Sequence, residues 1–294
     1  MAKALELKGR IRSVTNTRKI TRTMELVATS RLKKAQDRVA AARPYAEALR
    51  GVIADLYTAE LAAQFPLLRQ PAAPAQGGPT RAALIIVTSN RGLAGAFNSN
   101  IIKQARLRID ELEARGLTVD LYAIGKKGAG FFRYLGRPLA LSRIDIGDSP
   151  TSAHAAEIAN ELIAAFAAGT LASVDVVHAR FVSALSTPPN LLPVLPVPAP
   201  VVTKAARQRD YLLSPGAEEI LAELLPLYVR NSIYRALAET AAAEHAARRI
   251  AMKNATDNAG DLLNELKRTY NRVRQAKITQ EIAEIVGGAA ALNG

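Results

Sequence analysis

LKGRIRSVTNTRKITRTMELVATSRLKKAQ, residues Leu7–Gln36, decides the fold. One seam runs through it at alternating steps of four and three: Leu7, Ile11, Val14, Arg18, Thr21, Glu25, Ala28, Leu32 and Ala35. The rhythm continues through Val39, Ala42, Ala46, Leu49, Ile53 and Leu56. That is the heptad spacing of a helix whose stripe faces another helix. The seam turns polar at Arg18, Thr21 and Glu25. There the neighbouring stripe Ile20, Met24 and Val27 is expected to supply the apolar contacts, because a fairly straight helix drifts against a seven-residue repeat. Pro44 removes one intrahelical hydrogen bond and is expected to kink or break the helix.

The other end of the chain has the same texture. From Ala217 to Val286 the pattern is helical, and Ala255, Ala259, Leu262, Leu266, Thr269, Val273 and Ala276 repeat the four-three rhythm. Pro226 sits early and is expected to kink or restart it. A helix of roughly seventy residues is on the order of 100 Å long, too long to bury its stripe inside a small domain. Its partner is then the N-terminal helix, folded back antiparallel into a rod.

Between the ends the texture changes. Phe65–Thr80 (FPLLRQPAAPAQGGPT) has four prolines, two glycines and no period, and reads as a linker. AALIIVTS (Ala82–Ser89) reads as a buried strand, followed by the turn RGLAG and a helix over Phe97–Arg115. TVDLYAIG (Thr118–Gly125) is a second strand, with a short helix over Lys126–Leu135. Asp148-Ser149-Pro150 has the composition of a helix start, and that helix runs to about Ala168. SVDVVHARFVS (Ser173–Ser183) is a third strand, and Leu191–Val202, rich in proline, fits an edge strand. This order predicts a Rossmann-like α/β domain with a largely parallel sheet. The fold class is therefore α+α/β: a long antiparallel coiled coil of residues 1–64 and 204–294, a linker at 65–80 and an α/β domain at 81–203.

Composition closes off several functions. There is no cysteine, which excludes disulfides, thiolate metal sites and thiol switches. Three histidines, His154, His178 and His245, are scattered, and each reads as an ordinary helix or strand position, so no histidine metal cluster is expected. The opening residues lack the apolar core of a signal peptide. The most apolar run, Leu191–Val202, is short and carries four prolines, so membrane association is expected only through partners. The chain carries +13, and Met1–Arg38 alone holds eleven basic against three acidic residues, a net +8. That segment calls for an acidic partner. Nucleic acid is one candidate, but Met1–Arg43 has no aromatic residue to stack on bases.

The loop TSNRGLAGAFNSN (Thr88–Asn100) lies where phosphate loops live, after a strand and before a helix. It matches neither glycine-rich fingerprint and has no phosphate lysine, so it reads as a tight turn with a capped helix. GKKGAG (Gly125–Gly130) reads likewise. Asp145 and Asp148, near a turn, fit capping better than acid–base chemistry. The C-terminal ITQEIAEIVGGAAALNG (Ile278–Gly294) is small and apolar, as a segment inserted into something would be.

Three collinear stretches carry a family resemblance. Leu7–Gln36, the loop TSNRGLAGAFNSN and AMKNATDNAGDLLNELKRTYNRVRQAKITQEIAEIVGGAAAL (Ala251–Leu292) resemble the gamma subunit of F-type, rotary ATP synthases. The resemblance implies a non-catalytic central shaft, driven by proton flow, without nucleotide or other cofactor of its own. It implies partners: the alpha and beta subunits of the catalytic head, the epsilon subunit and the c-subunit ring. Contacts to the catalytic subunits carry over to Lys19, Arg22, Met24, Arg31 and Lys33 on the first helix and to Arg248, Gln275, Thr279 and Glu281 on the last. A bearing tip carries over to Ile285, Val286 and Leu292, and a foot against the c ring to Tyr211. The implied location is the cytoplasmic face of a bacterial plasma membrane, held peripherally, with an organellar inner membrane left open. Arg249 departs from the family's apolar methionine and Asn90 from a common aspartate, and Ala94 stands where a cysteine or similar small residue is often found. A basic coiled-coil protein that binds nucleic acid is the alternative.

Overall fold

The computed structural model describes residues 2–72, 77–199 and 216–292. Helix α1 spans Ala2–Leu56 and is followed by the short α2 (Ala59–Gln64); the last element, α6, spans Ala217–Leu292. By their contacts the residues form two compact units, residues 1–28 with 249–294, and residues 29–248. Tyr211 lies outside the described residues.

Residues 29–248 are built on a five-stranded sheet of β1 (Arg81–Val87), β2 (Thr118–Ile124), β3 (Leu139–Arg143), β4 (Leu171–Ala179) and β5 (Pro189–Leu195). The strand order is β3-β2-β1-β4-β5. The first four strands are parallel, and β5 closes one edge antiparallel to β4. Pro193 suits that edge, since it has no N–H to offer a ladder. Strand β1 is apolar at every position after Arg81 because both faces are covered. Leu84 and Ile86 pack against α3 (Phe97–Ala114) and against Phe132 of α4 (Lys126–Tyr134). Ala83, Ile85 and Val87 face the opposite way, into a core shared with α5 (Ser152–Ala167), with Leu49, Ile53 and Leu56 of α1, and with Leu221, Leu225 and Val229 of α6. Leu67 and Leu68, in the proline-rich stretch, are buried in the same core. Arg108 of α3 donates Nε and Nη2 to Asp175 of β4 at 3.0 and 2.8 Å, which pairs a carboxylate that is almost wholly buried.

In the smaller unit α1 and α6 pair directly. Thr21 meets Thr256, and Arg18 lies over Gly260, so the two helices run antiparallel. Leu7, Thr21 and Ala28 are buried on one side; Met252, Thr256, Ala259, Leu263 and Leu266 are buried on the other.

Several expectations need correction. Neither Pro44 nor Pro226 breaks its helix, which continues through it. The stripe Ile20, Met24, Val27 does not take over from the polar part of the seam: Ile20 is 59% and Val27 48% exposed, whereas Thr21 is buried. The seam keeps its phase because a threonine pair fills it. On α6 it is Leu263, not Leu262, that turns inward. Strand β3 was not anticipated; LALSR is a short edge strand with little alternation. Helix α5 starts after Pro150, where Thr151 Oγ1 accepts from the His154 amide at 3.3 Å, so Asp148 and Ser149 do not cap it. Nor is α3 capped by a side chain, its first flanking residue being Ala96.

Candidate functional site

In the helix pair the polar stretch of the seam is closed internally. Thr256 donates to Thr21 Oγ1 at 2.8 Å, and Thr21 donates onward to the Arg18 carbonyl at 3.1 Å. With this stretch satisfied, the other faces of α1 are free to carry charge and apolar surface together. Lys19 is exposed, and Arg22 donates to Glu25 at 2.8 Å while remaining largely exposed; Met24 is half-buried. Ile20, Leu26 and Val27 stand exposed among them. Such a basic face studded with aliphatic side chains is not a solvated helix surface of the ordinary kind.

The register has a consequence at the far end of α6. With Thr21 opposite Thr256 and Arg18 opposite Gly260, Ala2 comes level with about residue 275. From Ile278 onward every α6 side chain through Gly288 is exposed. Ile278, Ile282 and Ile285 follow one another at four and three, a single apolar stripe, and Val286 lies beside it. Gln275 and Thr279 are exposed, and Glu281 accepts from Lys277 at 3.3 Å. Leu292 ends the helix. Arg249 is half-buried and its Nε has no hydrogen-bond partner.

The second gathering lies in residues 29–248, around Asp148. Its carboxylate accepts from Arg31 and sits 3.7 Å from His245 Nε2. Arg38 donates to the Asp148 carbonyl at 3.0 Å and to Ser149 Oγ at 3.1 Å. Lys33, on the outer face, donates to Asp37 at 2.9 Å. Arg248 is buried and donates to Glu244 at 2.5 Å and to the Gly92 carbonyl at 3.3 Å. Burial pushes the Glu244 carboxyl above its usual range, and Arg248 opposes that. Burial also pushes His245 down to about 4, against the pull of Asp148 and with help from Arg248, Arg31 and Arg91. Its imidazole is therefore neutral near pH 7. Thr88, Asn90, Arg91, Asp148, Thr240 and Glu244 line a cavity of about 140 Å³ beside this network. Asp145 stands apart, held down to about 2 chiefly by its hydrogen bond from Arg143.

The loop Thr88–Asn100 is knitted to the rest of the same unit. Thr88 Oγ1 accepts from the Gly128 amide at 2.9 Å, and Asn90 Oδ1 from the Lys126 amide at 2.9 Å. Asn90 Nδ2 donates to the Ile144 carbonyl at 2.9 Å, and the Ser89 amide to Asn98 Oδ1 at 3.0 Å. Gly125 is required here: its φ is 97°, and a Cβ would lie 2.1 Å from the Thr88 carbonyl oxygen. The amides that would cradle a phosphate at Ser89, Lys126 and Gly128 already have partners. Among the described residues no group of His, Asp and Glu could hold a metal ion, and no helix is long and apolar enough to cross a membrane.

The family resemblance pointed to Lys19, Arg22 and Met24; on α1 Lys19 and Arg22 are exposed, as are Ile20, Leu26 and Val27, and Met24 is half-buried. The structure places Gln275, Thr279 and Glu281 on the exposed run of α6. Arg31 and Arg248 instead join the network around Asp148 and Glu244. Reading along the chain missed the Asp148 cluster because Arg31, Asp148 and His245 lie far apart in the sequence and share no motif.

The comparisons with known proteins agree in one direction. A family model described as ATP synthase matches residues 3–292. The chain is 61% identical to the ATP synthase gamma chain of Gemmatimonas aurantiaca, over the full length of both. It is 44% identical to that of Frankia casuarinae, covering 98% of this chain and 97% of the relative. Among solved structures it is similar to a chain of the central stalk and c ring of the Tetrahymena thermophila mitochondrial ATP synthase, at 25% identity and a TM-score of 0.59 over 80% of this chain and 99% of that one. A chain of the Euglena gracilis mitochondrial ATP synthase shares the fold at 16% identity, with a TM-score of 0.68 over 99% and 95% of the two chains.

Proposed function

The chain belongs to the ATP synthase family, among its gamma chains, and on that premise we propose that it works as the central shaft of a rotary, proton-driven ATP synthase. It carries no catalytic residue of its own. Its partners are the alpha and beta subunits of the catalytic head, the epsilon subunit and the c-subunit ring. It is a peripheral subunit of a membrane-associated complex, placed on the cytoplasmic face of a bacterial plasma membrane.

One observation carries the reading: the last turns of α6 present Ile278, Ile282, Ile285 and Val286 with no covering helix among the described residues. An apolar stripe left bare on a helix is costly in water and is explained by a sleeve that surrounds it. The alpha–beta hexamer is that sleeve, with Ile285, Val286 and Leu292 as the bearing tip. Lys19, Arg22, Met24, Gln275, Thr279 and Glu281 then touch the catalytic subunits above, and Arg31 and Lys33 do so lower on α1. Arg248 serves this contact by holding Gly92 and its loop in place. Tyr211 remains the proposed foot on the c ring. The shaft reading asks for no nucleotide, which agrees with a loop whose amides are already engaged. The nucleic-acid alternative finds no support among the relatives named above.

Reconstitution tests the function. Mixed with alpha and beta subunits, the full chain is expected to form a stoichiometric complex whose multisite ATPase activity depends on it. A hexamer that is equally active without the chain contradicts the reading.

A further inference from the structure

A second cavity, of about 230 Å³, lies within residues 29–248 and has no part in the shaft reading. Three arginines converge on it from separate elements: Arg50 from α1, Arg180 just after β4, and Arg235 from α6. Among the described residues the only carboxylate lining it is Glu239, which accepts from Arg235 at 3.4 Å. The described lining residues therefore carry a net +2. Among the described residues no hydrogen bond or ion pair engages the guanidinium of Arg50 or of Arg180.

The remaining polar lining is made of groups that can donate. Tyr228 and Ser232 bring hydroxyls. His178 is 3% exposed, and burial, with Arg235 and Arg180 close by, pushes it down to about 4, so it adds no charge near pH 7. Asn190 Nδ2 lies 3.2 Å from His178 Nε2. The amide donates, so Nε2 accepts and the ring proton sits on Nδ1, which has no hydrogen-bond partner.

Like charges brought together around a concave surface repel one another, and an oxyanion placed among them relieves this. Guanidinium forks bind two oxygens at once, and arginines arriving from three directions suit a tetrahedral anion better than a planar carboxylate. A water takes about 30 Å³ of liquid, so the cavity has room for such an anion together with bridging waters. We propose that this cavity is a phosphate site, which takes inorganic phosphate or the phosphoryl group of a small monoester as a dianion. Arg180 and Arg235 grip the oxygens, Arg50 completes the charge, and Glu239 holds Arg235 in place while competing with the ligand.

The test is calorimetric titration of the full chain with inorganic phosphate, against sodium chloride at matched ionic strength. Saturable binding is expected with phosphate and not with chloride. Arg180→Gln, which removes a guanidinium with no partner in the described residues, is expected to weaken binding at least about tenfold, as does the loss of one hydrogen bond to a charged group. Glu239→Gln is expected to tighten binding, a change of sign that general damage to the fold would not produce. Chain with an unchanged thermal transition but no saturable phosphate binding overturns the proposal. So does phosphate binding that Arg180→Gln leaves unaltered, or attachment to phosphatidic acid vesicles without any binding of free phosphate.

Discussion

Residues 217–248 and 249–288 belong to one continuous helix, yet they are built by opposite rules. In the first stretch Leu221, Leu225, Val229, Ile233, Ala236 and Leu237 are buried against the sheet core, and so are the polar groups of Glu244, His245 and Arg248. In the second, burial thins to a single row, Met252, Thr256, Ala259, Leu263 and Leu266, and after Lys277 it ceases. The first stretch is a structural helix inside an α/β domain. The second gives up core in order to present surface, which is what a part that works inside a partner requires. Helix α1 divides in the same way, with Leu49, Ile53 and Leu56 in the core and Ile20, Leu26 and Val27 in solvent.

The strongest way to break this contrast is through the buried ion pair. Arg248→Met leaves the Glu244 carboxylate without its partner and is expected to cost about 3–5 kcal/mol in urea unfolding at pH 7. Glu244 has a folded pKa above its unfolded value, so its proton is held more tightly when folded, and the removal of Arg248 raises that pKa further. The penalty of the variant is therefore smallest in acid, below the ordinary glutamate range, and grows as pH rises. A loss that is independent of pH would refute this. Leu225→Ala is expected to cost about 2–5 kcal/mol, a cavity in a rigid core. Leu263→Ala, in the single row, belongs at the low end of that range, and equal costs would erase the contrast.

Acid sharpens the comparison. All three histidines lie in residues 29–248, and His178 is held down to about 4 by burial. Its folded pKa lies below its unfolded one, so the stability it contributes is complete above pH 6.5 and is lost as pH falls from there toward 4. At about 1.4 kcal/mol per unit this amounts to roughly 3 kcal/mol, which His178→Gln is expected to flatten. Hydrogen exchange in acid should accordingly loosen the sheet unit while the helix pair keeps its protection.

The threonine pair has a smaller effect. Thr256→Val alone is expected to cost about 1 kcal/mol, and Thr21→Val with Thr256→Val close to nothing, since both partners then vanish together. Chemical unfolding of the two single variants and the double one gives the coupling. Smallest of all on stability are Ile282→Ser and Ile285→Ser, expected within about 0.5 kcal/mol because both side chains are exposed. Their effect should appear instead as weaker assembly with alpha and beta subunits.

Much of this division was legible in the sequence. The four-three steps from Leu7 to Leu56 named the inward positions of α1, and the run AALIIV announced a strand covered on both faces. What the pattern could not convey was how a polar seam is filled. Hydropathy favoured Ile20 and Val27 over Thr21, but a threonine closes a seam once another threonine stands opposite, and residues 21 and 256 are far apart in the chain. The same limit concealed that Leu263, one position from the expected Leu262, sets the phase of α6. Asp148 looked like a cap because its neighbours are Ser149 and Pro150; its true partners, Arg31 and His245, come from both terminal helices. The arginine-lined cavity was invisible for the same reason, since Arg50, Arg180 and Arg235 share no motif.

The central claim is that the exposed end of α6 turns inside a sleeve of catalytic subunits. It is tested most directly by fixing alpha–beta hexamers to a surface, assembling the full chain into them, and following a bead attached to the sheet unit after ATP is added. The account predicts continued rotation in one direction that stops when ATP is withdrawn. A complex that hydrolyses ATP at the full multisite rate while the bead stays still would contradict it.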